Sequence, residues 1–292
     1  MKKRFLLLLS MLVMLCSTIF AAKYDFHVGG VYFRILLNNQ LEPTTNLEVV
    51  SGDEKYTGDI IIPSGIKVGE TEYTVTQIGQ DAFYDCKDVT SVSLPNDVTS
   101  KLEVIEARAF GNCEGLTSIR IPDTVKEIGQ FAFHQCKNLK SVYMGRGLQI
   151  VRYNAFGYCE ALERVEISDL AAWCGIAFYY YGTSSGWFGP YANPLSYAGH
   201  LYLNGKEVVD LVIPEEVTSI HGDLNFYGCV GLKSVTFPDN ANVEYIGAWT
   251  FAGCENITTL KLNKHLKRIY ECAFSGCKLI ESLVIPDEVT LI

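Results

Sequence analysis

A motif that returns every 23 residues constrains this chain more than any other feature. Ala109-Phe110-x-x-Cys113-x-x-Leu116-x-x-Ile119-x-Ile121-Pro122 aligns without gaps on Ala132-Phe133-x-x-Cys136-x-x-Leu139-x-x-Val142-x-Met144, on Ala155-Phe156 through Ile167 and on Ala273-Phe274 through Pro286. Looser copies run from Ala82-Phe83 to Pro95, from Phe226 to Pro238 and from Phe251 to Leu262. The cysteines mark the register: 27 residues separate Cys86 from Cys113, then 23 to Cys136 and 23 to Cys159, and after a gap of 70 to Cys229 come 25 to Cys254 and 23 to Cys277. A period of this length means one structural unit per repeat, stacked into an array.

Within each copy, Leu-x-x-Val-x-Ile alternates apolar and polar residues and favours β-branched types, which predicts a short strand with one buried face. Proline often follows and ends the strand, because it has no N–H for a ladder. Ile-Gly-x-x-Ala-Phe-x-x-Cys then changes to three- and four-residue spacing, which predicts a short helical or 3₁₀ turn on the opposite side. One coil cannot bury its own apolar face, but a stack of coils buries a continuous column. The expected fold is an α/β solenoid, a right-handed coil with a parallel β-sheet on its concave face and short helical turns opposite. About nine coils at ~4.8 Å per strand give a rod roughly 45 Å long.

The string Ile-Gly-x-x-Ala-Phe-x-x-Cys-x-x-Leu-x-Ser-Val-x-Ile-Pro resembles the BspA-like leucine-rich repeats of bacterial surface proteins, over about residues 24 to 292. It departs from the commoner leucine-rich repeat in lacking the ladder asparagine. The resemblance implies an extracellular or surface-attached bacterial protein used in adhesion or host contact.

The organisation read from the chain is as follows. Residues 1–22 form an export signal: Lys2, Lys3 and Arg4, an apolar run from Phe5 to about Phe20, then Ala21 and Ala22. That run is short for a bilayer crossing, which takes ~20 apolar residues, so cleavage is expected, with an uncleaved anchor as the alternative. Residues 23–72 lack the Ala-Phe-x-x-Cys signature but alternate from Tyr32 to Leu37 and from Gly58 to Ile62, as expected for a β-rich N-terminal cap over an open solenoid end. Repeats fill 73–168 and 201–292, the last without a visible cap. Residues 169–200 break the period as an aromatic insert.

Charge narrows the partners. The chain carries −9, and loss of the signal, with three cations and no anion, takes it to −12. Without basic runs it is unsuited to nucleic acid, which is held by neutralising phosphates, or to an anionic membrane surface. No transmembrane segment is expected in the mature chain.

Chemistry-bearing constellations are few. There is no Gly-x-Ser-x-Gly elbow, phosphate loop or His-Glu-x-x-His, and the histidines are scattered at 27, 134, 200, 221 and 265. Trp173-Cys174-Gly175 lacks the second cysteine of a redox pair. No cofactor, metal site or catalytic residue is expected. Cys86, Cys113, Cys136, Cys159, Cys229, Cys254 and Cys277 read as a structural ladder of small buried side chains, with disulfides between adjacent coils as the alternative. The polar slots of the strands are Ser91 and Ser93, Ser118 and Arg120, Ser141 and Tyr143, Arg164 and Glu166, Asp210 and Val212, Ser234 and Thr236, Thr259 and Lys261, and Ser282 and Val284.

These slots read either as ordinary β-compatible surface or as a polar platform for ligand centred on Tyr143, Arg164 and Glu166. The insert supplies the second candidate, Tyr179, Tyr180, Tyr181, Trp187, Phe188 and Tyr191, among Gly182, Gly186 and Gly189. Clustered Tyr and Trp suit interfaces, and packing of the rings over the solenoid edge is the alternative. The expected function is a secreted or surface-displayed module that adheres to or recognises an extracellular protein or glycan without catalysis. The alternative is a structural subunit that docks through an open C-terminal coil.

Overall fold

A computed structural model describes residues 23–179, 182–183, 186–187, 191–220 and 223–292. It is a β-solenoid of about 8 turns. The alternating segments form the strands expected of them, paired in parallel. Ser118–Arg120, Ser141–Met144, Arg164–Ile167 and Leu201–Leu203 run side by side, as do Asp210–Val212, Ser234–Thr236 and Thr259–Lys261. Ser118, Ser141 and Arg164 are register partners, as are Arg120, Tyr143 and Glu166, so the 23-residue period becomes columns of side chains. The inward residues Val142, Val165, Val235 and Ile119 are buried.

The far side of the coil differs from the helical turn expected of it. The isoleucine of Ile-Gly lies in a second parallel ladder of two-residue strands: Val104–Ile105, Glu127–Ile128, Ile150–Val151 and Ala177–Phe178, with Tyr245–Ile246 and Arg268–Ile269 further on. The Ala-Phe-x-x-Cys segment that follows is a chain of tight turns. Asp81 and Asp85 are left-handed, with φ of 58° and 60°, and so are Arg108 and Asn112, Phe131 and Gln135, and Asn154 and Tyr158. A left-handed residue ends a helical turn, and two of them four residues apart forbid a helix.

The hydrogen bonds show what this conformation achieves. Alternate N–H groups leave their own coil: those of Asp81, Phe83 and Asp85 donate to the carbonyls of Ala107, Ala109 and Gly111, and those of Phe131, Phe133 and Gln135 donate to Tyr153, Ala155 and Gly157. A helix would consume these donors internally. The turn instead adds a third ladder between coils. Among the described residues, helix is confined to Leu170–Cys174 (α1) and Leu195–Ala198 (α2), both in the segment that breaks the period.

The core is a column. Phe83, Phe110, Phe133 and Phe156 stack with centroids 4.9, 5.2 and 5.2 Å apart, close to the spacing of strands, and Phe226, Phe251 and Phe274 repeat this at 5.1 and 5.6 Å. Outside the core, ion pairs link residues one period apart, such as Lys126–Glu103 at 2.6 Å and Lys278–Glu255 at 2.8 Å. Each is half exposed and contributes at most about 1 kcal/mol, so these pairs follow the register without setting it.

At the N-terminal end, Phe26–Val28, Val31–Leu37 and Pro43–Val50 form an antiparallel meander. Pro43–Val50 then pairs in parallel with Thr71–Ile78, which continues into the short-strand ladder, while Gly58–Ile61 pairs in parallel with Val89–Ser93. The segment before the first clear motif therefore feeds both ladders.

Candidate functional site

The long-strand ladder exposes one ordered cluster. Arg120 lays its guanidinium on the ring of Tyr143, 3.4 Å from the centroid, and Arg164 lies 3.5 Å above Tyr202. Glu166 sits between the two stacks, in register with both tyrosines. One of its oxygens takes Arg164 Nη2 at 2.5 Å, and the other accepts from the backbone N–H of Gly205. Tyr143, Arg164 and Glu166, chosen from the strand pattern, thus come together. Arg120, one of the polar slots of the strand pattern, and Tyr202, outside that pattern, are partners of equal weight. Tyr202 follows the insert, where the repeat register is lost in the sequence. An Asn204-Gly205 hairpin turn, with both residues at positive φ, fixes its strand against Lys206–Glu207.

The insert is one coil, lengthened. Val165 pairs with Leu201, 36 residues on, where Val142 pairs with Val165 after 23, and Ala177–Phe178 still joins the short-strand ladder. Its flanks are tied into the core. Asp169 caps α1 by accepting from the N–H of Ala172 at 2.9 Å. Trp173 is buried and donates to the carbonyl of Asn225, whose amide donates to the carbonyls of Trp173 and Ile176 at 3.0 and 3.1 Å. Asn193 amide reaches the carbonyls of Leu224 and Asn225. Asn225 and Asn193 thereby bolt the lengthened coil to the next one.

Of the ligand candidates here, Tyr180, Tyr181 and Phe188 lie outside the described residues. Trp187 is described only as part of the short hairpin Gly182–Thr183 with Gly186–Trp187. Tyr179 is half exposed beside Arg152. Tyr191 stacks between Tyr158 and Tyr197, at 6.2 and 5.7 Å, and its carbonyl takes the N–H of Phe156, the role alanine has in other coils. Burial pushes the Tyr197 hydroxyl up to about 12. Tyr179 follows the short-strand ladder and Tyr191 belongs to the turns, whereas Tyr143, Arg164 and Glu166 lie on the long strands. Of the described candidates, Tyr179 and Tyr191 therefore stand on other parts of the coil than Tyr143, Arg164 and Glu166.

With this geometry in hand, a family model described as the BspA type leucine-rich repeat region matches six copies, over residues 65–183 and 200–292. The chain belongs to this family. A binding or recognition module is what membership in this repeat family supports. Comparison with curated proteins finds no match.

Solved structures are similar at low identity. The T. pallidum leucine-rich repeat protein TpLRR is 22% identical, over 85% of this chain and 87% of its own, with a TM-score of 0.45. The pneumococcal vaccine antigen PcpA is 18% identical over 93% and 78%, with a TM-score of 0.46. A leucine-rich cell surface protein from Faecalibacterium prausnitzii is 18% identical over 92% and 90%, with a TM-score of 0.33. Membership rests on the repeat, not on these superpositions.

The BspA-type cysteine has a definite task here. Sγ of Cys113, Cys136, Cys159 and Cys254 donates to the carbonyl of the motif phenylalanine one coil back, Phe83, Phe110, Phe133 and Phe226, at 3.1, 3.2, 3.2 and 3.1 Å. Cys277 does the same to Phe251 at 3.3 Å. The nine described cysteines are free thiols. Burial pushes the thiols of Cys159, Cys174 and Cys229 up to about 12 and that of Cys277 to about 11. Such protonated groups are poor nucleophiles. Among the described residues no cluster of three or more His, Cys, Asp or Glu is placed to hold a metal, and no helix is long and apolar enough to cross a membrane.

Proposed function

We propose that this chain is exported, with residues 1–22 removed, and acts as a secreted or surface-displayed module that binds an extracellular protein or glycan without catalysis. The observation that carries this reading is the pair of Arg–Tyr stacks, Arg120 on Tyr143 and Arg164 on Tyr202, on three adjacent strands and the one before them. Long polar side chains normally lose rotamer freedom on binding, at about 0.5–1.5 kcal/mol each. Here they are already held by one another and by Glu166 on a rigid sheet. Arg and Tyr are also the residue types that dominate binding energy at interfaces. Tyr179, Tyr180, Tyr181, Trp187, Phe188 and Tyr191 would supply a second contact region.

The test is a screen of the mature chain against glycan and extracellular-matrix protein arrays, repeated with Tyr143→Ala and Arg164→Ala. A ligand whose affinity falls at least tenfold in both variants, at a melting temperature within a few degrees of the parent, is the expected result. A blank screen, or a ligand indifferent to both changes, would remove the platform from the account.

A further inference from the structure

The turn edge of the solenoid carries a notch that neither the platform nor the insert uses. In the column that follows the motif phenylalanine stand Tyr84, Gly111, His134 and Gly157, so a ring is missing at Gly111 between two that are present. The gap opens a cavity of about 360 Å³ walled by Tyr84, Phe131 and His134, with Gln130 and Gln135 at its rim. The ring of Tyr84 leans over Gly111, where a Cβ would come within 3.1 Å of its Cδ2.

Phe131 is placed there against its own backbone preference. It occupies a left-handed position, φ 59°, that the turn imposes on Arg108, Leu224 and Trp249 in other coils and that Asn154 fills in the following one. Phe131 meets Tyr153 and His134 edge-on, each at 5.2 Å, and His134 meets Tyr158 edge-on at 5.2 Å. The aromatic wall therefore runs on from the notch toward Tyr158 and Tyr191.

The chemistry of the notch is neutral. Arg108 and Asp81 neutralise each other through two contacts, at 2.8 and 2.9 Å. Burial holds the His134 imidazole below its ordinary value, so it is uncharged at neutral pH. Among the described residues, the side-chain amides of Gln130 and Gln135 take part in no hydrogen bond. Aromatic faces beside free amides, without a spare cation or carboxylate, match a neutral sugar, which has an apolar C–H face and a rim of hydroxyls. They do not match a phosphate, a sulfate or an amine.

We propose that the notch between Tyr84 and Phe131 binds a neutral hexose or N-acetylhexosamine unit of a glycan, independently of the Arg–Tyr platform. The full mature chain would be titrated against an array of neutral oligosaccharides ending in hexose or N-acetylhexosamine, beside sialylated and sulfated counterparts. The variants are Tyr84→Ala, Phe131→Asn, a control in the last coil remote from both regions, Lys278→Ala, and Tyr143→Ala, which reports on the platform. Phe131→Asn removes the wall while installing the residue that the next coil uses, so the fold is kept.

The expected result is binding of neutral glycans that falls at least tenfold in Tyr84→Ala and Phe131→Asn and stays within twofold in Lys278→Ala. The proposal is overturned by an array without neutral binders, by preference for the charged glycans, or by affinity that survives Phe131→Asn within twofold. It is also overturned if only Tyr143→Ala abolishes binding, which would assign the glycan to the platform. If the notch variants instead release a protein partner and no glycan, the site is a peptide groove and the sugar assignment fails.

Discussion

At the scale of single residues, the cysteine ladder shows how one side chain can serve both packing and hydrogen bonding. The motif phenylalanine carbonyl accepts the N–H of the cysteine in its own coil and the thiol of the cysteine one coil on, as Phe110 does for Cys113 and Cys136. A buried carbonyl has two lone pairs to satisfy, and a thiol is small enough to reach one without opening a cavity. The consequence is testable by reaction with a disulfide reagent at pH 8. Exposed Cys272 should react promptly and partly covered Cys277 more slowly, while Cys86, Cys113, Cys136, Cys159, Cys174, Cys229 and Cys254 should wait for unfolding. Prompt reaction of three or more thiols in the native protein would contradict the burial described. The column was legible in the sequence because seven cysteines share one repeat offset. The hydrogen bond was not, because spacing reports position and says nothing of which carbonyl lies behind it.

At the scale of elements, what the sequence concealed was the fate of the backbone donors. Three- and four-residue apolar spacing fits both a helical turn and a chain of left-handed turns. The distinguishing marks were Asp81, Asp85, Asn112 and Asn154, with Gly228, Gly253 and Gly276 at the second of the two offsets, residue types that accept positive φ. The platform was half legible for a similar reason. Strand alternation found Tyr143, Arg164 and Glu166, but Tyr202 needed the register across the insert, which only pairing supplies.

The bolt at Asn225 belongs to this scale too. Ala is the family residue at that position, so Asn225→Ala restores the motif and would ordinarily be a safe change. Here it should destabilise by about 2 kcal/mol, because Ile176 loses its buried donor and Trp173 one of its own. The loss is moderated because Asn225 Oδ1 is itself without a partner. Denaturant unfolding gives the magnitude, and limited proteolysis should show faster cutting between 179 and 191. A variant as stable as the parent would mean that the lengthened coil is held by packing alone.

For the whole molecule, the repeated thiols make stability depend on pH in a direction that can be worked out. Each ladder thiol is raised above its ordinary value near 9, to about 12 for Cys159 and Cys229, because burial disfavours the thiolate. Between those values the unfolded chain has lost a proton that the folded chain keeps. Stability is therefore fully present below pH 9 and falls as pH rises toward 12, by about 1.4 kcal/mol per pH unit for each such thiol. The ion pairs between coils are half exposed and contribute little.

The expected behaviour, measured by urea unfolding under reducing conditions from pH 8 to 10.5, is a decline that steepens with each step. Replacing Cys136 by Ala should lower stability at pH 8 and flatten the decline, since one proton difference is gone. In a stack whose coils contact only their neighbours, that flattening should come with earlier unfolding of the adjoining coils, visible as faster amide exchange at Phe110 and Phe133 than at Phe251. An unchanged slope in the variant would mean that the thiols are not what ties the stack to its protonation state.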